Sequence, residues 1–444
     1  MELSVKSLTR IRNITAKLSI MLLLLITHTV TAGTINKSEN DPRSYDSFTL
    51  DNGLQVVTVS DANIAQSAAT LSVGVGVYQD PASHQGLAHF LEHMIFMGSA
   101  KYPDPNEFMS FISENGGSSN AFTAQTQTAY LFSIDSAQFE PALARLSAAI
   151  KSPLFDKTMV DKEINSVNSE WLIQHQSDQF IQQRVSATTG NINHPRAKLG
   201  VGNLATLNKD KAALLPTLKK FHQQYYSANI MKLILVGKQS NKEFKVIATK
   251  HFGNIKNNNI ERPVVLQQAY NKEDLGQHIF VKSKVKHPVL AIEFAIANNV
   301  ADWQSKANAY LSHLLSSEEN GTLISTLRER GLIQDAQVMI LPNVWGNSGS
   351  AFIQFILTEK GQKDKDTILS HTFAYINLLK AQGISQPYSD ELKGLLNLQF
   401  EDFVTPQPLQ LAVQLSQSIY DIPTQHLIDH SYLLNKRGTS INFD

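Results

Sequence analysis

The alternation of hydrophobic and polar positions along the chain predicts strands and helices in mixed order. Short runs rich in β-branched and aromatic residues predict strands, and longer runs with an apolar residue every three to four positions predict helices. The predicted strands are 54–60, 68–78, 128–134 and 231–237, and the predicted helices are 86–97, 105–115, 141–150 and one long helix over about 157–185. Residues 47–256 are therefore expected to form one large α+β domain.

The same order of elements restarts further along the chain. Residues 257–271 are polar, contain Asn257 to Asn259 and Pro263, and are typical of a linker. Beyond them, the strand-like run 287–297 and the helical run 307–331 repeat the pattern of the first domain. Self-similarity at a long period indicates duplication, so residues 272–444 are expected to form a second, homologous domain.

The amino terminus has the pattern of a secretory signal. Basic residues precede the apolar run 18–26, and small residues lead to a cleavage point after Ala32. The run is much shorter than the roughly 20 residues that cross a bilayer, so residues 1–32 are predicted to be removed rather than to anchor the protein. We expect a flexible leader at 33–46, and export to the periplasm or, alternatively, secretion from the cell.

The charge balance and the cysteine content limit the kinds of binding and catalytic site that the chain can form. Lysine plus arginine equals aspartate plus glutamate at 39 each, which gives no basic surface for nucleic acid. The chain has no cysteine, which excludes disulfides, thiol catalysis and thiolate zinc sites. Any metal must therefore be held by histidine and carboxylate side chains.

The stretch 86–98, GLAHFLEHMIFMG, places two histidines four residues apart on a predicted helix. Positions i and i+4 share one helix face, so His89 and His93 can direct their rings at one point. Apolar residues cover the rest of the helix, and burying the histidines and Glu92 without partners would cost several kcal/mol. A divalent cation is the compensation that this pattern favours, with Glu92 placed to accept a proton from a metal-bound water.

A catalytic zinc site needs a third protein ligand. Glu163 and Glu170 lie on one stripe of the long predicted helix, so either can face the histidines, one binding the metal and the other orienting a histidine. His313, in the second domain, has no glutamate at the matching position and is interpreted as a packing residue. His194 lies outside the stripe and is not expected to be a ligand.

The motif and its surroundings resemble the insulysin and pitrilysin family of zinc peptidases, which carry the inverted motif HxxEH. The similarity runs through HFLEHMIFMGSAKYP, NGGSSNAFTAQTQTAYLFSI, EINSVNSEW, NINHPRAKLGVGNLATL and FHQQYYSANIMKLILVG, which together cover most of the first domain. The resemblance implies two homologous α+β domains, each a mainly antiparallel sheet packed by helices, that form half of a bowl. Because relatives of the pitrilysin type are about twice as long, it also implies that the second domain is incomplete at its carboxyl end.

The resemblance assigns roles to individual residues. It implies one Zn²⁺ per chain held by His89, His93 and Glu170, with Glu92 as the general base. It makes Glu163 the hydrogen-bond partner of a histidine ligand. It also implies that the peptide substrate adds as a strand along Asn120, Ala121 and Phe122, although the residues alone are equally compatible with a structural edge.

Two functions follow from this resemblance. The first is a zinc metalloendopeptidase that cleaves peptides or small unfolded polypeptides, completed by a partner chain carrying the carboxyl-terminal half or by a homodimer. The alternative is a noncatalytic binding or partner subunit that keeps the zinc site. The retained Glu92 favours the first function, whereas the expected absence of the carboxyl-terminal domains favours the second.

Overall fold

Six strands of the amino-terminal part pair into one mixed sheet in this computed structural model, which describes residues 34–284 and 288–434. The predicted signal peptide, 1–32, lies outside the described residues. The strands are β1 (Ser44–Thr49), β2 (Gln55–Ser60), β3 (Gln66–Val73), β4 (Ser118–Thr123), β5 (Thr128–Asp135) and β6 (Met231–Gly237). They lie in the order β1-β2-β6-β3-β5-β4, and only β2 and β6 pair in parallel. This order leaves β4 at one edge of the sheet.

Helices cover the face of this sheet that carries Val56, Leu71 and Leu233. They are α1 (Leu87–Ile95), α2 (Glu107–Glu114), α3 (Phe139–Lys151), α4 (Val160–Gln174), α5 (Asp178–Thr189), α6 (Leu204–Leu207), α7 (Lys211–Tyr225) and α8 (Asn241–Phe252). Successive strand residues point to opposite faces, so Val57 and Ile234 project to the other side. Two separate hydrophobic layers therefore sandwich the sheet.

The second domain contains a three-stranded antiparallel sheet. Its elements are β7 (Val289–Ala297), α9 (Ala307–Ser316), α10 (Leu323–Glu329), β8 (Ile333–Leu341), β9 (Ser348–Leu357), α11 (Glu359–Lys363), α12 (Lys365–Gln382), α13 (Gln386–Glu401) and α14 (Pro408–Ser418). The strand order β7-β9-β8 matches β3-β5-β4 of the first sheet. The predicted α+β fold of two homologous domains is confirmed. None of the helices in the described part of the chain is both long and apolar enough to cross a membrane.

Helix α14 lies within the predicted second domain, 272–444, and packs on the first sheet. Its buried residues Leu411, Ala412 and Leu415 pack on the outer face of the first sheet, against Val57 and Ile234. Those strand residues are fully buried, and they would be exposed without the helix. The carboxyl-terminal part of the predicted second domain therefore completes the core of the first.

The segment predicted to be a flexible leader, 33–46, contains buried residues in its described part. Ile35 is buried, and the guanidinium of Arg43 donates to both carboxylate oxygens of Asp41 at 2.8 and 2.9 Å. The Asn36 amide donates to the carbonyl of Gln425. This polar segment packs because its charges pair with each other and because α14 and the residues after it provide a surface that sequence alone does not reveal.

The single long helix expected over 157–185 is two helices, α4 and α5. The chain turns at residues 175–177, where the Ser177 side chain accepts a hydrogen bond from the Phe180 amide. Serine is a strong helix N-cap, so a separate helix starts after Ser177. The helical run 307–331 also forms two helices, α9 and α10, separated by residues 317–322. Residues 257–271 contain no helix or strand, and Ala269 within them is buried.

Candidate metal centre

The start of helix α1 is fixed by a buried carboxylate. Asp80 accepts hydrogen bonds from the amides of Gly86 at 2.7 Å and Ala88 at 2.8 Å, two of the donors that a helix N-terminus leaves unpaired. Burial raises the pKa of Asp80 to about 7, against the lowering effects of these two amides and of the Lys198 charge. The first turn of α1 is thereby held to the loop that precedes it.

Helix α1 directs two histidines at one carboxylate of α4. His89 Nε2 lies 3.2 Å from Glu170 Oε2, and His93 Nε2 lies 3.4 Å from Glu170 Oε1. One ligand atom from each of the three residues falls within 4.8 Å of the others. Ligands about 2.0–2.1 Å from a tetrahedral zinc ion stand about 3.3 Å apart, so this donor set fits zinc in both chemistry and spacing.

The other ring nitrogen of each histidine has its own acceptor. His89 Nδ1 lies 2.8 Å from the carbonyl oxygen of Val201, and His93 Nδ1 lies 3.3 Å from Glu163 Oε2. Both acceptors fix the hydrogen on Nδ1, which leaves Nε2 available as a metal ligand. Burial lowers the pKa of His93, but its hydrogen bonds to Glu163 and Glu170 outweigh burial and raise the pKa to about 9.

Two glycines allow the Val201 carbonyl to reach His89. Gly86 and Gly202 have φ values of +92° and +72°, which favour glycine, and their backbones touch. A Cβ on Gly86 would lie 2.3 Å from the Gly202 Cα, and one on Gly202 would lie 2.9 Å from the Gly86 Cα. The loop can approach the helix this closely only because neither residue has a side chain.

Glu92 lies beside the cluster but outside the set of three. It is buried, and its Oε2 accepts a hydrogen bond from the Thr123 hydroxyl at 2.5 Å. Burial raises the pKa of Glu92, against the lowering effects of His89 and of the Thr123 hydrogen bond. Thr123 is the last residue of β4, so this contact joins the carboxylate to the edge strand.

The main chain of β4 presents alternate residues at the open edge of the sheet. Continuing the β4–β5 ladder, the Ala124 amide donates to the Gln127 carbonyl at 2.7 Å, so even-numbered residues bond to β5. The main-chain groups of Ala121 therefore face away from β5, whereas those of Asn120 and Phe122 face towards it. No other strand of the described residues pairs with this edge.

The cluster and β4 open into a large cleft of about 2030 Å³. Its walls include the α4 residues beside the cluster, helix α5, and the face of the second sheet that carries Glu293 and Phe352. A cleft of this size can admit an extended polypeptide segment rather than only a small molecule.

Two further histidines are not part of the cluster. His194 is buried against the ring of Tyr78, and its Nδ1 accepts a hydrogen bond from the Arg196 amide at 3.1 Å. His313 lies near Tyr388 in the second domain, and no metal-binding group of the described residues contains it.

The site also contains residues that the sequence did not identify. Val201 contributes only its carbonyl, and the residue type gives no sign of a main-chain contact, although Gly200 and Gly202 on both sides of Val201 mark an unusual loop. Thr123 and Asp80 are common residue types that give no sign of a role in the sequence. Thr123 lies 31 positions from its partner Glu92, and Asp80 lies 8 positions from its partner Ala88. Only the folded chain brings these groups to the motif.

Comparison with known proteins places this fold and site among the M16 peptidases. Residues 55–199 match the family described as Insulinase (Peptidase family M16), and residues 215–396 match the Peptidase M16 inactive domain. The chain belongs to the M16 peptidase family. The second match agrees with the absence of a metal-binding group from the second domain in the described residues.

Individual relatives agree with the family. The chain is 35% identical to Protease 3 of Escherichia coli over 397 residues and 32% identical to human insulin-degrading enzyme over 408 residues. It covers 41% and 40% of those proteins, while 89% and 90% of the chain itself is matched. The chain thus spans about two fifths of the length of these relatives.

Solved structures show the same relationship. The crystal structure of pitrilysin matches with a TM-score of 0.86 and 34% identity, covering 91% of this chain and 43% of that one. A protease from Helicobacter pylori matches with a TM-score of 0.71 and 20% identity, covering 88% of this chain and 93% of that one. The second likeness shows that the two-domain fold also occurs in a chain of comparable length.

Proposed function

We propose that the chain provides the zinc-binding half of a metalloendopeptidase that hydrolyses peptides or small unfolded polypeptides. The observation that carries the proposal is the convergence of His89 Nε2, His93 Nε2 and both oxygens of Glu170, with Glu92 beside them. Zinc bound there supplies Lewis acidity, which polarises a scissile carbonyl and makes water more acidic. Membership of the M16 family supports this reading of the donor set.

Different residues of the chain bind the metal, orient the histidines and transfer the proton. His89, His93 and Glu170 hold the metal, while Glu163 and the Val201 carbonyl keep the ring nitrogens of the two histidines correctly protonated. Glu92 acts as the general base: it takes a proton from the attacking water and passes it to the leaving amine. Thr123 holds the Glu92 carboxylate in position through its hydroxyl.

Substrate binds as an added strand on the open edge of β4. Of Asn120, Ala121 and Phe122, only Ala121 points its N–H and C=O to that edge, so we infer that it makes main-chain hydrogen bonds to the peptide. Its N–H donates to Asn120 Oδ1 at 2.9 Å, and the peptide carbonyl replaces this acceptor. Asn120 and Phe122 also line the cleft, and their side chains are available to contact the substrate. Pairing through the main chain selects an extended backbone rather than a particular sequence.

We propose that the chain by itself is not a fully active peptidase. Because it spans about two fifths of Protease 3, we infer that full activity requires a second half, supplied by a partner chain or a second copy. The alternative is a noncatalytic subunit that binds zinc and polypeptide. We further propose that residues 1–32 direct export to the periplasm and that the metal-binding domain comprises about residues 47–256 together with α14.

Zinc content and cleavage of a quenched fluorescent peptide test the proposal. The natural chain, Glu92→Gln and His89→Ala are measured alone and after addition of the part of Escherichia coli Protease 3 that this chain does not match. We expect about one zinc per chain in the natural protein and in Glu92→Gln, and strong loss of zinc in His89→Ala. Cleavage by the natural protein should exceed that of Glu92→Gln by at least about a hundredfold.

The results separate the two functions. Zinc binding with cleavage no faster than Glu92→Gln under both conditions would reject the peptidase and leave the noncatalytic subunit. Equal zinc content in the natural protein and in His89→Ala would reject the metal centre itself.

A further inference from the structure

The guanidinium of Arg196 lies between two aromatic rings from other parts of the chain. Its central carbon stands 4.1 Å from the centre of the Tyr270 ring and 4.5 Å from the centre of the Trp345 ring. The two rings also meet edge to face, with centroids 5.4 Å apart. Tyr270 belongs to the segment 257–271, and Trp345 belongs to the connection between β8 and β9 of the second domain. We call these three residues the Arg196 sandwich.

The sandwich stabilises a buried positive charge. Arg196 is 6% exposed, and its guanidinium donates to the carbonyl oxygen of Ser186 at 2.8 Å and to the Ser186 hydroxyl at 3.3 Å. Both of these acceptors are uncharged, so they do not neutralise the guanidinium. A planar guanidinium stacks well on aromatic faces, and such contacts are strongest where water is excluded. Loss of one ring would therefore remove much of the stabilisation of the charge and displace the Arg196 side chain.

The connection that carries Trp345 is itself held in place. The Asn347 side-chain amide donates to the carbonyl of Gln267 at 2.6 Å. Gly346 has a φ of +82°, and a Cβ on it would lie 2.7 Å from a methyl group of Val265. This connection therefore packs closely on the segment that contains Tyr270. Trp345 is 8% exposed and presents its ring to Arg196 from a fixed support.

Residues 178–202 are anchored to the first domain by polar contacts rather than by its hydrophobic core. All of them lie in the described part of the chain, and none belongs to the core that α1, α4 and α7 share. Arg184 of α5 donates to the carbonyl oxygens of Ala197 and Lys198 at 2.9 and 2.7 Å, and Lys198 Nζ donates to the Asp80 carbonyl at 2.7 Å. Individual hydrogen bonds contribute modestly to net stability, so the contact of this segment with the second domain is one of its main supports.

The same segment carries the hydrogen-bond acceptor of a zinc-ligand candidate. Five residues separate Arg196 from Val201, whose carbonyl oxygen lies 2.8 Å from His89 Nδ1. Between them, the Leu199 amide donates to Gln85 Oε1 at 2.7 Å. Because no residue of this short path packs in the core, a displacement at Arg196 is passed along it to the Val201 carbonyl.

We propose that Arg196 is a positioning residue for the metal centre, through which the second domain holds the Val201 carbonyl against His89. The Trp345 ring is the group of the second domain that fixes Arg196. This inference rests on the zinc site proposed above and extends it. The second domain, whose described residues supply no ligand, thereby sets the zinc affinity of a site in the first domain.

Two substitutions at Trp345 test the coupling in the full chain without metal. Trp345→Leu keeps an apolar side chain but removes the aromatic face, whereas Trp345→Phe keeps a face. The Gly202 amide, which donates to the Leu199 carbonyl at 3.0 Å, reports the order of the segment by hydrogen exchange. We expect the Gly202 and Leu199 amides to exchange at least about tenfold faster in Trp345→Leu, and within about twofold of the natural rate in Trp345→Phe.

Zinc affinity and the ring proton of His89 report the consequence at the metal centre. Competition with a chelator should show zinc binding weakened about tenfold in Trp345→Leu and nearly natural in Trp345→Phe. In the zinc-loaded protein, NMR of isotope-labelled histidine should show the His89 Nδ1 proton exchanging faster with water in Trp345→Leu. Arg196→Lys keeps the charge but not the planar guanidinium, and it should reproduce all three changes.

Phe111→Leu is the matched control. The Arg145 guanidinium carbon lies 3.6 Å from the centre of the Phe111 ring, but Arg145 lies on α3, away from the segment 196–201. This variant should lose stability in urea unfolding and keep natural zinc affinity and natural exchange at Gly202. Natural exchange or natural zinc affinity in both Trp345→Leu and Arg196→Lys, or an equal loss of affinity in Phe111→Leu, would overturn the proposal. Absence of zinc binding by the natural chain would instead reject the metal centre itself and, with it, the positioning role.

Discussion

The carbonyl oxygen of Val201 lies 2.8 Å from Nδ1 of His89, although the two residues are 112 positions apart. The contact depends on Gly86 and Gly202, whose backbones touch beside it. It sets which nitrogen of His89 carries the hydrogen, and hence which nitrogen can bind a metal. A main-chain group on a remote loop thus determines the chemistry of a residue in the motif.

Gly202→Ala should weaken zinc binding by about 10- to 100-fold, because the added Cβ pushes the loop away from α1 and withdraws the Val201 carbonyl. Zinc affinity measured by competition with a chelator checks this. Gly116→Ala is the matched control: Gly116 also has positive φ, +68°, but its Cβ would meet nothing within 4 Å. Equal zinc affinity in the two variants would contradict the proposed role of the glycine contact.

Thr123→Val should raise the pKa of Glu92, because the Thr123 hydrogen bond stabilises the charged carboxylate and its removal favours the protonated form. The acidic limb of the pH dependence of kcat/KM, measured on the assembled enzyme, should therefore move to higher pH. Loss of a partner by a buried carboxylate should also destabilise the fold by about 1–3 kcal/mol. Thr123→Ser keeps the hydroxyl and should leave the limb in place; a Thr123→Val profile that superimposes on it would refute the prediction.

His194 should make the fold less stable in mild acid. Burial and the nearby charge of Arg196 lower the pKa of His194 to about 4, so between pH 6.5 and 4 the unfolded chain binds a proton that the folded chain does not. This contribution to stability is present above pH 6.5 and is lost as the pH falls towards 4, at up to about 1.4 kcal/mol per pH unit. Urea unfolding at pH 7 and pH 5 measures the difference.

His194→Asn provides the comparison for that measurement. An asparagine oxygen can accept the same hydrogen bond from the Arg196 amide but does not titrate in this range. The variant should lose less stability than the natural chain between pH 7 and pH 5. An equal loss in both proteins would show that other groups cause the acid sensitivity.

Leu415→Ala should destabilise the fold by about 2–5 kcal/mol, because Leu415 of α14 is 1% exposed and packs on the first sheet. Thermal or urea unfolding checks this value. Leu398→Ala, at a position of α13 that is 54% exposed, removes the same atoms and should cost less than about 1 kcal/mol. Similar losses in both variants would contradict the assignment of α14 to the core of the first domain.

Local pattern determined most of the element types. The strands 54–60, 128–134 and 231–237 and the helix of the motif lie where the periodicity predicted them, because each is buried on a regular stripe or on both faces. The break at Ser177 was missed because a polar helix continues the same composition on both sides of the turn. The packing of residues 34–43 was missed because its ion pair and its partner surface involve residues far apart in the sequence.

The sequence by itself determined the spacing of His89, Glu92 and His93 on one helix and the candidate carboxylates on another, since helical geometry places i and i+4 together without help from the rest of the chain. Only the tertiary structure decided how these groups meet. It placed Glu170 between the two Nε2 atoms and Glu163 on His93 Nδ1, brought the Val201 carbonyl and Thr123 to the motif, and moved α14 onto the first sheet. Contacts between distant segments depend on the packing of whole surfaces, which local periodicity does not encode.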